Sequence, residues 1–187
     1  MGIFFRISFP LLGELTVTIK CNSFGTVGLR ETAPYRDLKE DIHVYLSDDT
    51  QCIGTGAFKN WKHLLSVTYC GNHSVKIGTV SFSGCENLKT FAFSSTGEVA
   101  SQAFKDCASL HFLNLSKTTL INRNVFEGCN CLSGIRVYEN CTFRGDAFSN
   151  PLSVELVDYN GKIVRRIEKF CVETSQRDKE LKFSDFQ

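Results

Sequence analysis

Thirteen residues decide the fold: Ala103-Phe104-Lys105-Asp106-Cys107-Ala108-Ser109-Leu110-His111-Phe112-Leu113-Asn114-Leu115. With Phe104 as position zero, Cys107 stands at three, Leu110 at six, Leu113 at nine and Leu115 at eleven. The frame recurs along the chain. Phenylalanine returns at Phe58, Phe82, Phe104, Phe126 and Phe148, with gaps of 24, 22, 22 and 22 residues. Six residues later come Leu64, Leu88, Leu110, Leu132 and Val154. Nine later come Val67, Phe91, Leu113, Ile135 and Val157, and eleven later Tyr69, Phe93, Leu115, Val137 and Tyr159. Five before each phenylalanine stand Ile53, Ile77, Val99, Ile121 and Phe143. All 25 positions are apolar in a chain that is 42% apolar, so chance is a poor explanation. A fixed period of this length marks a repeat architecture.

The spacing within one unit has a physical reading. Positions zero, three and six fall on one side of a short helical turn, and nine and eleven alternate as a strand does. Just before each phenylalanine sits a small residue: Ala57, Ser81, Ala103, Val125, Ala147. Two after it sit Asn60, Gly84, Asp106, Gly128 and Asn150, which tolerate a left-handed or turn backbone. One unit cannot bury its apolar side alone. Stacked units can, with their strands about 4.8 Å apart in a parallel sheet. The expected fold is an α/β repeat: a solenoid with a parallel sheet of short strands, helical turns and capped ends.

Working outward, a weaker unit precedes these five. Tyr35 takes the Phe position, Leu38 the Cys position, and Val44 and Leu46 the strand positions, while Asp41 replaces the leucine. In Gly13–Cys21, Leu15, Val17 and Ile19 alternate with Thr16, Thr18 and Lys20, as in a strand half-facing water. A seventh unit aligned here would put Arg6 at the Phe position, so this strand reads as an N-terminal cap. Asn22–Thr32 reads as a loop. Asn160-Gly161 between two apolar-rich strands is a strong hairpin signal, and a strand with Lys162, Arg165 and Arg166 would close the sheet edge. Glu173–Gln187 reads as a frayed helix or tail. The expected division is a cap strand and loop at 1–28, a degenerate repeat at 29–52, five repeats at 53–159, and a hairpin cap and polar tail at 160–187.

The unit, I-x-x-x-A-F-x-x-C-x-x-L-x-x-V-x-L, resembles the BspA-like leucine-rich repeats of bacterial and protist surface proteins. Ala103–Leu110, Phe126-Glu127-Gly128-Cys129-Asn130-Cys131-Leu132, Ile53-Gly54 and Ile77-Gly78 carry the resemblance. It covers 53–159 well and 29–52 loosely. It implies a leucine-rich-repeat fold, adhesion or surface-antigen roles, and a location at the cell surface or outside the cell. The chain departs from the family in lacking Ile-Pro after the strands and a visible secretion signal. Met1–Leu12 is apolar but is interrupted by Arg6 and lacks a basic start and a cleavage site, so it reads as core. If that absence is real, the location is cytoplasmic.

Composition narrows the function. The chain has 187 residues, enough for one domain with a core, and its 21 Lys+Arg nearly balance 20 Asp+Glu. That balance argues against a nucleic-acid partner. No stretch reaches the 18 or so unbroken apolar residues of a membrane span. Of 9 cysteines, Cys85, Cys107 and Cys129 share one column and read as buried free thiols. Cys129, Cys131 and Cys141 make a weak zinc pattern, so no metal is expected. His43, His63, His73 and His111 are scattered, and no glycine-rich phosphate loop or nucleophile motif occurs. Neither catalysis nor a cofactor is expected.

The outward strand positions are the better candidates. The columns are Ser66, Thr90, Phe112, Gly134 and Leu156; Thr68, Ala92, Asn114, Arg136 and Asp158; and Cys70, Ser94, Ser116, Tyr138 and Asn160. Phe112, Arg136 and Tyr138 are residue types enriched at binding hot spots. The expected partner face is Thr68, Thr90, Phe112, Asn114, Arg136, Tyr138 and Asp158. Three glycosylation acceptors occur: Asn72 and Asn140 just past strands, and Asn114 on the face itself, where a glycan would block binding. The expected function is non-catalytic protein–protein recognition by a monomer, of the cell-surface adhesion or antigen type. The alternatives are an intracellular scaffold and a structural repeat fragment with no ligand of its own.

Overall fold

Repetition in sequence becomes repetition in space. The structure, a computed structural model, describes residues 13–186 apart from Ser94, Ser149, Pro151 and Asp178. The reading of Met1–Leu12 as core lies outside the described residues. The chain opens with β1 (Glu14–Ile19), β2 (Thr26–Val27), the short α1 (Leu29–Thr32), β3 (Asp41–Leu46) and β4 (Cys52–Ile53). Then follow β5 (Leu64–Tyr69), β6 (Val75–Ile77), β7 (Thr90–Phe93), β8 (Thr96–Val99), β9 (Phe112–Leu115) and β10 (Leu120–Ile121). The last coils hold β11 (Gly134–Tyr138), β12 (Thr142–Arg144), β13 (Leu152–Val157), β14 (Ile163–Phe170) and β15 (Glu180–Lys182). Together they form a β-solenoid of about six turns with mostly parallel strands.

Each coil has three walls. The first carries the strands read from positions nine and eleven, in two sheets ordered β1-β3-β5-β7 and β14-β13-β11-β9. The second is a seven-stranded sheet, β15-β12-β10-β8-β6-β4-β2. Its members centre on the column five before each phenylalanine: Ile53, Ile77, Val99, Ile121 and Phe143 are all buried. The third wall holds the phenylalanines and differs from the expected helical turns. It is a run of chained turns. In one coil, Ser81, Ser83 and Cys85 donate N–H to carbonyls three residues back (Gly78, Val80, Phe82), while Val80, Phe82 and Gly84 donate to Ser101, Ala103 and Lys105 of the next coil. A helix would spend every N–H inside its own segment. Spending alternate ones on the neighbour ties the coils together. The geometry needs a left-handed backbone two after the phenylalanine, and Asn60, Gly84, Asp106 and Gly128 have φ of 62°, 74°, 59° and 75°.

The core is two ladders of side chains. Phe58, Phe82, Phe104, Phe126 and Phe148 stack ring on ring at 5.0, 5.4, 6.2 and 5.6 Å. Beside them the thiols of Cys85, Cys107 and Cys129 each donate to the carbonyl of the phenylalanine in the preceding coil, at 3.0, 3.2 and 3.0 Å. The cysteine column therefore consists of buried free thiols that satisfy the Phe58, Phe82 and Phe104 carbonyls.

At the ends, several segments depart from the sequence reading. Asn22–Thr32 is not a plain loop: β2 pairs with β4 and α1 follows. In β1 the alternating Leu15, Val17 and Ile19 pair with Ile42, Val44 and Leu46, with Val17 and Ile19 buried and Leu15 packed half-buried against the core. Glu173–Gln187 is not a frayed tail over its described part. β15 pairs antiparallel with β12, and Leu181 and Phe183 are buried, with Phe183 4.5 Å from the Phe143 ring. β14 lies antiparallel on β13, joined through the Asn160-Gly161 turn.

Candidate functional site

The outward face of the first wall carries the residues singled out in the sequence. Pairing aligns Ser66 with Thr90 and Thr68 with Ala92 in the first sheet. In the second it aligns Phe112 with Gly134 and Ser153, and Asn114 with Arg136 and Glu155. The last coil is three residues shorter than the repeat frame predicts. Val154, at position six by sequence, pairs with Ile135 at position nine. Three outward assignments change as a result. Leu156 is buried, and Asp158 and Asn160 lie past the end of β13. Asp158 instead accepts the N–H groups of Asn160 and Lys162 on Oδ1, at 2.9 Å each, and so builds the hairpin turn.

Glu155 takes the place expected for Asp158, and the repeat frame missed it. Arg136 donates Nε and Nη2 to Glu155 Oε2 at 2.8 and 2.6 Å, and Arg166 of β14 donates Nε to Oε1 at 3.2 Å. The Arg136 guanidinium, then Arg166, holds the Glu155 carboxyl below its usual value against a smaller opposing effect of burial. Arg136 also sits 6.0 Å from the Phe112 ring centroid, within cation–π range. Phe112 is 44% exposed and covers Gly134, where a Cβ would stand 3.3 Å from its ring. Tyr138 is half-buried and its Oη accepts from Asn140 Nδ2 at 3.3 Å. Thr90 and Asn114 are exposed and Thr68 half-buried. Phe112, Arg136, Glu155 and Arg166 therefore form one patch, with Tyr138 on the next outward position of β11. Thr68 and Thr90 lie in the other sheet.

Between the sheets the first wall opens. Among the described residues β7 and β9 share no ladder, although their coils remain bonded before and after it (Ser109 N to Glu86 O, 3.1 Å; Thr119 N to Gly97 O, 2.9 Å). The cause is the size of the inward side chains. β7 places Phe91 and Phe93 where β9 and β11 place Leu113, Leu115, Ile135 and Val137. Phe91 packs edge-on against Phe82 and Phe104 at 5.4 and 4.9 Å, and Phe93 stacks on Phe91 at 4.0 Å. Four rings at one junction wedge it apart. The opening is a groove of about 630 Å³ reached from the outward face, with Phe91, Phe93 and Phe112 in its lining and Lys89 and His111 beside them.

A family profile, described as the BspA type leucine-rich repeat region, matches six copies over residues 39–183. The chain belongs to the BspA-type leucine-rich-repeat family. The match extends past the last strand of the sequence-read repeat and takes in β15, in keeping with the place of that strand in the second wall. Comparison with curated proteins and with solved structures found no match.

Other candidate chemistry sits apart from this face. Burial pushes the thiols of Cys85, Cys129 and Cys141 up to about 12 and that of Cys107 well above 9, which suppresses the thiolate a nucleophile or metal ligand needs. Cys131 is exposed while Cys129 and Cys141 are buried, and no cluster of three metal-ligating side chains forms among the described residues. Asn72 and Asn140 are exposed. Among the described residues no helix is long and apolar enough to cross a membrane.

Proposed function

We propose that this leucine-rich-repeat protein is a non-catalytic module that recognises a protein partner through the outward face of its first wall. The observation that carries the reading is the exposed Phe112, held over Gly134 and beside Arg136, at the rim of an open apolar groove. A large aromatic held half in water with an arginine against it has the composition of an interface anchor. Thr68, Thr90, Asn114 and Tyr138 extend the proposed surface. Asp158, committed to its turn, supports it only through the hairpin. The family favours a protein ligand, and an adhesion or surface-antigen role is the form proposed here, with Asn72 and Asn140 as candidate glycan sites off the face.

The test is a pulldown from the native source with the wild-type chain and with Phe112, Arg136 and Tyr138 all replaced by alanine. A partner lost in the triple variant, with the melting temperature of the variant retained, is the expected result. Equal capture by both would remove the site from this face. A second reading, an intracellular scaffold, is favoured by nine cysteines that are all free thiols. Intact mass of the native protein after alkylation separates the two. Nine alkylated thiols and no glycan favour the scaffold; glycan mass on Asn72 or Asn140 favours the surface protein.

A further inference from the structure

We propose that the groove beside Phe112 captures the C-terminus of a partner protein, taking an apolar last side chain against the phenylalanines and its α-carboxylate at Lys89 and His111. The inference rests on the reading of the outward face as a recognition surface and names the chemistry that this face selects.

The first ground is shape. The outward side chains of β5 and β7 are short: Ser66 and Thr68 on one strand, Thr90 and Ala92 on the next. At β9 the face steps up. Phe112 is exposed and leans away from β7, its ring 3.3 Å from the point where a Cβ on Gly134 would stand. The step leaves a depression of about 630 Å³ over β7, with Phe91 and Phe93 beneath it and Phe112 as its wall. That is a volume typical of sites that hold a small apolar body. The ligand lies on the outward surface, so the pairing of β7 with β5 stays as it is.

The second ground is charge. Lys89 and His111 each stand one residue before their strand, so both are at the same end of the groove. Lys89 is exposed and forms no ion pair among the described residues, because the acids around this face have other partners: Glu86 has Lys62, Asp41 has His63, and Glu155 has Arg136 and Arg166. His111 Nδ1 donates to Ser109 O at 2.7 Å, which holds the ring and leaves Nε2 for a ligand. The groove lining contains no carboxylate of its own. A carboxylate placed here gains charge-assisted hydrogen bonds.

The third ground is how these groups are spaced around one body. An apolar side chain and a carboxylate share a single Cα only in the last residue of a chain. At the other end of the groove Asn114 Oδ1 accepts from Ser116 N at 3.2 Å, so its Nδ2 remains to donate to the backbone carbonyl of the residue before. Capture of a terminal carboxylate is an established mode of peptide recognition.

The experiment is an amide NMR titration of the full chain with acetyl-Gly-Ser-Gly-Leu-Phe ending in a free carboxylate, and with the same peptide ending in an amide. The expected result is saturable shifts at the Thr90, Ala92, Phe112 and Asn114 amides, with the acid binding about tenfold tighter than the amide. Lys89→Glu, an exposed change, should remove that preference. Bound acid should also slow alkylation of Cys70, which is exposed in the groove lining, and leave the exposed Cys131 and Cys171 unchanged. No shift at the four amides at about 1 mM acid peptide overturns the proposal. So does equal binding of acid and amide. Binding of acetyl-phenylalanine as tight as that of the peptide overturns it too, since the groove would then take a small aromatic acid rather than a protein terminus. A partner that is lost from the Phe112, Arg136 and Tyr138 triple variant but is kept by Lys89→Glu ends the capture of a terminus and leaves recognition by the outward face standing. A partner kept by both ends the two readings together.

Discussion

Phe104→Ala tests whether the ring ladder holds the solenoid together. Phe104 is fully buried and contacts Phe82 at 5.4 Å, Phe91 at 4.9 Å and Phe126 at 6.2 Å. Phe→Ala in a core typically costs about 3–5 kcal/mol, and aromatic pairs add stabilisation beyond their area. Three ring neighbours place Phe104 near the top, at about 5 kcal/mol. Phe126, 3% exposed with two neighbours on its ladder at 6.2 and 5.6 Å, belongs near the bottom, at about 3 kcal/mol. The two differ in a second way. Phe104 sits across the junction whose outward ladder is open, so its coil meets the preceding one through only two bonded walls. Stability in a solenoid is roughly a sum of units and nearest-neighbour interfaces. Weakening the thinnest interface should split unfolding into two steps and lower the apparent urea m-value; Phe126→Ala should leave m unchanged. Urea titration followed by far-ultraviolet circular dichroism measures both quantities. A loss under about 2 kcal/mol for Phe104→Ala, or a larger loss and lower m for Phe126→Ala, would refute the reasoning.

Two further outcomes follow from the same packing. Burial raises the thiols of Cys85, Cys129 and Cys141 to about 12 from an ordinary 9 and raises Cys107 in the same direction. A raised folded value means stability that is complete below pH 9 and is lost as pH climbs towards 12. Melting temperature should therefore fall steeply over that window, and the exposed Cys70, Cys131 and Cys171 should react with a disulfide reagent at pH 8 well before the buried four; a uniform reactivity of all nine would contradict the packing. Gly78→Ala should destabilise by about 2 kcal/mol or more, because its Cβ would meet the Ile53 carbonyl oxygen at 2.5 Å and the Gly54 carbonyl carbon at 2.9 Å, both backbone of the preceding coil. Gly54→Ala, with its nearest atom at 3.3 Å, should cost less, and thermal melts of the pair decide the order.

What was legible in the sequence is what repeats. The phenylalanine and cysteine columns, the left-handed residues at 60, 84, 106 and 128, and the inward strand positions are each constrained by identical neighbours above and below, so the same side chain recurs. The second wall was hidden because β4 and β10 are two residues long, too short for an alternation to show. Helical turns were expected because positions zero, three and six suit a helix as well as they suit chained turns; periodicity alone does not reveal that alternate N–H groups cross to the next coil. At the last coil the frame slipped by three residues. The local alternation of Ser153, Val154, Glu155 and Leu156 held the correct register, but the 22-residue period outweighed it, and Glu155 was passed over for Asp158. The groove had a visible signal, two phenylalanines at 91 and 93 where the neighbouring coils carry leucine, isoleucine and valine. Its consequence, an open ladder, depends on packing against Phe82 and Phe104 in three dimensions.

That consequence ties the core to the surface. The second wall and the chained-turn wall run unbroken past the junction between Phe82 and Phe104, with bonds such as Phe82 N to Ala103 O at 2.9 Å and Gly84 N to Lys105 O at 2.8 Å, and with the buried Thr96 and Thr118 hydroxyls 2.7 Å apart. Two walls suffice to stack these coils, so the third is free to open without dividing the solenoid. The opening falls where the core is richest in rings, and those rings become the floor of the groove. Smaller residues at 91 and 93 would be expected to close the ladder and erase the groove together. If they do, the outward face owes this groove to a choice made in the core, and a family of similar coils can acquire different ligands by changing inward residues as well as outward ones.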